Sequence, residues 1–120
     1  MSEQSATGRH YLSGKSLTVN WADGVITSVT DAPEGASDRW LAPGLVDLQI
    51  NGYAGVDFQR DGVSLQELEI AAEGLRRDGC GRWFLTLITD EWSTLLARLR
   101  GLKILRDQSA ALRSRIVGWH

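Results

Sequence analysis

Three groups of polar side chains stand where chemistry could sit. Gln49 and Asn51 close the run Leu45-Val46-Asp47-Leu48-Gln49-Ile50, Thr86 and Thr89 follow Trp83-Phe84-Leu85, and His120 follows Ile116-Val117-Gly118-Trp119. Asp57 lies in the loop after the first of these runs. Each run is short and apolar, as buried strands are. In parallel β/α proteins the reactive groups gather at the carboxyl ends of such strands. Amides and hydroxyls at those ends can hydrogen-bond a substrate, and an imidazole can move a proton or bind a metal. On position alone, a polar residue leaving a strand is more often a turn former or a partner for backbone groups. Asp47, inside an apolar strand, is costly to bury unless paired, and is read as a structural acceptor.

No complete catalytic set accompanies these residues. The two histidines, His10 and His120, are far apart in sequence, and no Cys or Glu stands at ligand spacing, so they do not compose a zinc site. His10 sits in a polar segment and is expected at the surface. There is no Gly-x-Ser-x-Gly nucleophile elbow, no Gly-x-x-x-x-Gly-Lys phosphate loop and no Gly-x-Gly-x-x-Gly. Cys80 has no adjacent histidine to activate it, so a small buried thiol is expected rather than a nucleophile.

The elements that must position the polar groups are legible from periodicity. Leu17, Val19 and Trp21 alternate at period two, Asp23-Gly24 supplies a tight hairpin turn, and Val25 to Val29 returns. Asp31 to Asp38 is a run of turn formers, and Trp40-Leu41 begins a short strand stopped by Pro43-Gly44. Ser64-x-x-Glu67 is a capping box opening a helix through Leu65, Leu68, Ala72 and Leu75, with Gly79 as its terminator. After the second strand, Thr89-Asp90 is expected to cap a helix whose stripe is Trp92, Leu95, Leu96, Leu99 and Leu102, continuing past Gly101. Arg106 to Ser109 reads as a polar link toward a third strand at Ile116. Strand, helix, strand, helix, strand in that order implies a parallel sheet with right-handed crossovers.

Composition removes several classes. The 13 Lys plus Arg against 15 Asp plus Glu leave a net charge of -2, without the basic stripe of a nucleic-acid binder. The arginines at 76, 77, 98, 100, 106, 113 and 115 fall on helices or turns, where a solvated face accounts for them. Five tryptophans follow no basic stacking pattern and are read as packing residues. One cysteine forbids an intrachain disulfide. No apolar run reaches the roughly 18 residues of a membrane span, and the first ten residues lack an apolar signal core. The expectation is a soluble cytoplasmic protein with neither nucleic-acid nor membrane partner.

The run Ala42-Pro43-Gly44-Leu45-Val46-Asp47-Leu48-Gln49-Ile50-Asn51-Gly52 resembles the first barrel strand of the amidohydrolase superfamily. Many members end that strand in His-x-His; Gln49-x-Asn51 here, followed by Gly52-Tyr-Ala-Gly55-Val-Asp57-Phe58, resembles the single-metal N-acetylglucosamine-6-phosphate deacetylase branch. Gly81-Arg-Trp-Phe-Leu-Thr86-Leu-Ile-Thr89 is similar to that family's second strand, although Leu85 replaces a usual proline. Val117-Gly118-Trp119-His120 resembles the start of its third-strand motif.

The resemblance implies an α/β fold. Residues 1–41 would belong to a β-sandwich, and residues 42–120 would form the first two β/α units and third strand of an incomplete TIM-type (β/α)8 barrel. A whole barrel needs roughly 250 residues, which 120 cannot supply. It also implies hydrolysis of the acetamide of N-acetylglucosamine 6-phosphate, a small-molecule partner, to glucosamine 6-phosphate and acetate in amino-sugar catabolism. The divalent metal, zinc in the expectation, would be held by residues the family carries beyond this stretch, so none is expected on these 120 residues. Gln49, Asn51 and His120 would border the metal site without ligating it, and residues 1–120 alone would be inactive. The full-length family would dimerise. The alternatives are another amidohydrolase, against which Gln-x-Asn in place of His-x-His argues, and a non-catalytic interaction module.

Overall fold

The computed structural model describes residues 2–120, which divide into two compact units, residues 2–43 and 44–120. The first is a single sheet of β1 (Gln4–His10), β2 (Ser16–Ala22), β3 (Val25–Asp31) and β4 (Trp40–Leu41), ordered β3-β2-β1-β4. Asp23 and Gly24 have φ of 51° and 78°, the paired positive values that let a two-residue turn follow the twist of β2 and β3. Across β1 and β2 the directly opposed Thr7 and Thr18 hydroxyls meet at 2.8 Å. β4 runs parallel to β1, pairing Arg9 with Trp40 and His10 with Leu41. That close return requires Gly8, because a Cβ there would stand 2.9 Å from both the Arg39 carbonyl oxygen and Leu41 Cγ. Composition hid β1, whose Gln-Ser-Ala-Thr-Gly-Arg-His sequence is polar throughout; its partner strands decide it.

In the second unit β5 (Leu45–Ile50), β8 (Cys80–Leu85) and β9 (Ile116–Trp119) form a parallel sheet in the order β5-β8-β9, alongside a small hairpin of β6 (Gly52–Tyr53) and β7 (Val56–Asp57). Mixed α/β architecture follows from the helices that connect these strands. α1 (Leu65–Arg77) opens with the reciprocal cap, Ser64 Oγ accepting from Glu67 N at 3.2 Å and Glu67 Oε2 accepting from Ser64 N at 2.8 Å. It ends at Gly79, whose φ of 89° suits the left-handed exit. Leu68, Ala71, Ala72 and Leu75 are its buried face.

α2 (Trp92–Gln108) runs through Gly101, but its cap is Glu91 rather than Thr89-Asp90. The Glu91 carboxylate reaches the Thr94 amide at 3.0 Å, while Asp90 accepts from the Glu91 amide and pairs with Arg98. Of its expected stripe Leu102 is buried, Leu95, Leu96 and Leu99 are half-buried, and Trp92 is 69% exposed. The expected polar link, Arg106 to Ser109, is instead the last turn of α2 and the cap of a further short helix, α3 (Ala110–Arg115). Its buried Leu112 enters the core with Phe58, Leu68, Trp83, Leu85 and Ile116. Phe58 and Trp83 stack at 5.5 Å with ring planes 12° apart, tying the loop after β7 to the middle of the sheet. Several arginines are more than a solvated face: Arg106 Nε donates to the Ile116 carbonyl at 2.8 Å, and Arg98 is held between Asp61 and Asp90.

Candidate functional site

Parallel pairing brings the carboxyl ends of β5, β8 and β9 to one rim. The Thr86 amide donates to the Ile50 carbonyl at 2.8 Å, the His120 amide to the Leu85 carbonyl at 3.0 Å, and the Leu87 amide to the His120 carbonyl at 2.9 Å. Asn51, Thr86 and His120 therefore follow the last paired residues of neighbouring strands. Thr86 is buried, and its hydroxyl lies 3.3 Å from the Phe84 carbonyl and 3.4 Å from His120 Nδ1. Asn51 is half-buried, its carbonyl accepting from the Phe58 amide at 3.1 Å; Gln49 and His120 are exposed.

The local sequence explains how β5 presents these residues. Its ladder with β8 shifts register between Asp47 and Ile50, and the Asp47 carboxylate accepts from the Gln49 amide at 2.9 Å. Asp47 thus satisfies a backbone donor that the irregular ladder leaves free. Asp57 does the same in the loop that follows, accepting from the Gln59 amide at 2.8 Å. Thr89 is exposed just before α2. Cys80 is buried at the opposite, amino-terminal end of β8, with its thiol donating to the Arg82 carbonyl. His10 lies in the first unit, hydrogen-bonded to Ser13 Oγ at 3.0 Å.

Residue type alone did not flag Gln59. Its carboxamide nitrogen donates to the Thr86 carbonyl at 2.8 Å and to the Asn51 carbonyl at 3.4 Å, and its oxygen accepts from the Ile88 amide at 2.8 Å. A lone glutamine in a loop carries no sequence signal; its role exists only once two strand ends lie side by side.

The rim is rich in amides and hydroxyls and poor in charge. Among the described residues no three His, Cys, Asp or Glu side chains gather to hold a metal ion. Neutral Gln49 and Asn51 amides with one imidazole are a weak donor set for a divalent ion compared with several imidazoles or carboxylates. They suit hydrogen bonding. A separate groove of about 490 Å³ between residues 60–63 and α2 is lined by Arg60 and Arg98, but both are paired, with Glu67 and with Asp61 and Asp90. No helix among the described residues is long and apolar enough to cross a membrane.

No family model matches the chain. Its sequence is 34% identical over 82 residues to an N-acetylgalactosamine-6-phosphate deacetylase of Escherichia coli O157:H7, covering 66% of this chain and 21% of that protein. Its structure matches a mutant N-acetyl-D-glucosamine-6-phosphate deacetylase of Mycobacterium smegmatis, solved with N-acetyl-D-glucosamine-6-phosphate, at a TM-score of 0.68. That match has 25% identity and covers 100% of this chain and 32% of the other. The N-acetylglucosamine-6-phosphate deacetylase of Pasteurella multocida matches at a TM-score of 0.62 and 25% identity, over 91% of this chain and 32% of that one. Fold and sequence together make the chain a relative of the amino-sugar-phosphate deacetylases. Within that class it resembles N-acetylglucosamine-6-phosphate deacetylase along its whole length, and it spans about a fifth to a third of the proteins it matches.

Proposed function

We propose that residues 1–120 are the N-terminal portion of an enzyme that hydrolyses the acetamide of N-acetylglucosamine 6-phosphate, giving glucosamine 6-phosphate and acetate. The observation that carries this reading is the Gln49-x-Asn51 rim beside Thr86 and His120, in a chain whose whole length follows the mycobacterial deacetylase. In this reading residues 1–41 contribute to a β-sandwich, and residues 42–120 are the opening of a (β/α)8 barrel. β5-α1-β8-α2 make two β/α units, α3 leads into the third strand, and the strand ends face the substrate.

Gln49, Asn51 and His120 would border the reacting centre, orienting the substrate or the water that attacks it by hydrogen bonds. A divalent metal, zinc in the resemblance, supplies an activated water when bound. In the resemblance its ligands are residues the family carries beyond this stretch. The whole protein would work in the cytoplasm, with a small amino-sugar phosphate as its partner and dimerisation as in the resemblance.

The test is acetate release from N-acetylglucosamine 6-phosphate with added zinc. Residues 1–120 alone should release none, whereas a chain joining them to the rest of a deacetylase barrel should turn over. Turnover by residues 1–120 would overturn the account of where the metal ligands lie. The Escherichia coli relative named for the galactosamine substrate supports a second reading, in which the 4-epimer is preferred. Parallel assays of the two isomers decide between them.

A further inference from the structure

We propose that Gln59 is the positioning residue of the rim, clamping the ends of β5 and β8 so that Asn51, Thr86 and His120 keep one arrangement. The proposal rests on the deacetylase reading only for what the rim is used for. The geometry stands by itself. A carboxamide carries a donor and an acceptor at one end of a three-torsion side chain. Here the donor serves the Thr86 carbonyl at 2.8 Å and the Asn51 carbonyl at 3.4 Å, and the acceptor takes the Ile88 amide at 2.8 Å.

Past the last ladder pair the Asn51 carbonyl also takes the Phe58 amide at 3.1 Å, while among the described residues the Thr86 carbonyl and the Ile88 amide have Gln59 and no loop backbone group as partner. The clamp is itself anchored. The Gln59 amide is held by Asp57 at 2.8 Å, and the adjacent Phe58 is fully buried against Trp83. Thr86 passes the constraint on, since its hydroxyl lies 3.4 Å from His120 Nδ1. Hydrogen-bonding groups that act on a substrate must be held to about 0.5 Å, and strand-end loops do not hold that without such support.

Nuclear magnetic resonance of labelled residues 1–120 tests this without any substrate. Gln59→Leu removes both donor and acceptor. The Ile88 amide should then exchange about tenfold faster or more, and the Thr86 carbonyl and His120 ring resonances should move, while Trp83 and Leu85 amides keep their protection. Gln59→Glu keeps the acceptor but loses the donor until its carboxyl is protonated. Ile88 should stay protected at every pH, and the Thr86 carbonyl resonance should return toward its Gln59 position only in acid, with the unsubstituted chain titrated as control.

Unchanged Ile88 exchange and His120 resonances in Gln59→Leu would overturn the clamp. So would faster exchange spread equally over Trp83 and Leu85, which marks a loss of global stability. If Gln59→Leu does not fold, Gln59→Glu decides alone, and a Thr86 resonance that ignores the introduced carboxyl overturns the proposal. A clamp that passes while the barrel-length chain releases no acetate removes the deacetylase reading and leaves the geometry intact.

Discussion

Asp47 shows how a residue that could do chemistry becomes structural. Its carboxylate is taken up by the Gln49 amide where the β5 ladder shifts, so Gln49 reaches the rim with its own side chain free in solvent. Replacing Asp47 by Leu removes that acceptor and should destabilise the fold by about 1 kcal/mol in urea melts, with Asn largely sparing it because one side-chain oxygen remains. Glu91 makes a pH prediction. The Ser93 hydroxyl first, then the backbone amides of Ser93 and Thr94, hold its carboxyl down to about 2 against an ordinary 4.5. A folded value below the unfolded one stabilises at neutral pH and is lost as pH falls from about 4.5 toward 2. Far-UV circular dichroism should show the start of α2 loosening across that window. Glu91→Gln should flatten the slope, because an amide does not titrate in this range.

Among the elements, the clearest sequence signal is also the most local. Ser64 and Glu67 form the cap that their spacing predicts, and Ser64→Ala should cost about 1 kcal/mol in thermal or denaturant unfolding. β9 carries a tertiary constraint that spacing does not reveal. Gly118 lies opposite Phe84, and a Cβ there would fall 2.3 Å from the Phe84 ring. Gly118→Ala should therefore cost roughly 1–3 kcal/mol by overpacking. Phe84→Leu in the same chain should recover some of the loss; additive losses in the double-mutant cycle would show that the two do not meet. α2 illustrates the limit of periodicity. Its stripe has helical spacing, yet Leu102 is the buried member, Leu95, Leu96 and Leu99 are half-buried and Trp92 at the first turn is exposed, because spacing says which face is apolar and not how far other elements cover it.

Across the chain, the second unit has a dense core around Trp83, Phe58, Leu85 and Ile116, and outside it much apolar surface is open. Leu45, Val46 and Leu48 of β5 and Val25, Ile26 and Val29 of β3 are all more than half exposed. β3 is also an edge strand of its sheet, paired on one side with β2. Exposed apolar strands at an open edge invite pairing with other chains. Residues 1–120 in isolation should self-associate with rising concentration in sedimentation velocity, and Ile26→Lys should reduce this without changing the circular dichroism of the helices. A concentration-independent monomer would show that these strands are protected in solution. The hairpin turn at Asp23-Gly24, the Ser64 capping box, the alternation of strands with helices and the Gln49-x-Asn51 signature can all be read from the residues in order. The first three depend on local backbone preference and on the period of apolar side chains, and the last is read through its resemblance to the deacetylase strand. That polar β1 is a strand, that α3 precedes β9 and that Gln59 joins two strand ends become visible only in the folded chain. Each of these rests on hydrogen bonds or packing between residues distant in sequence, which no local pattern encodes.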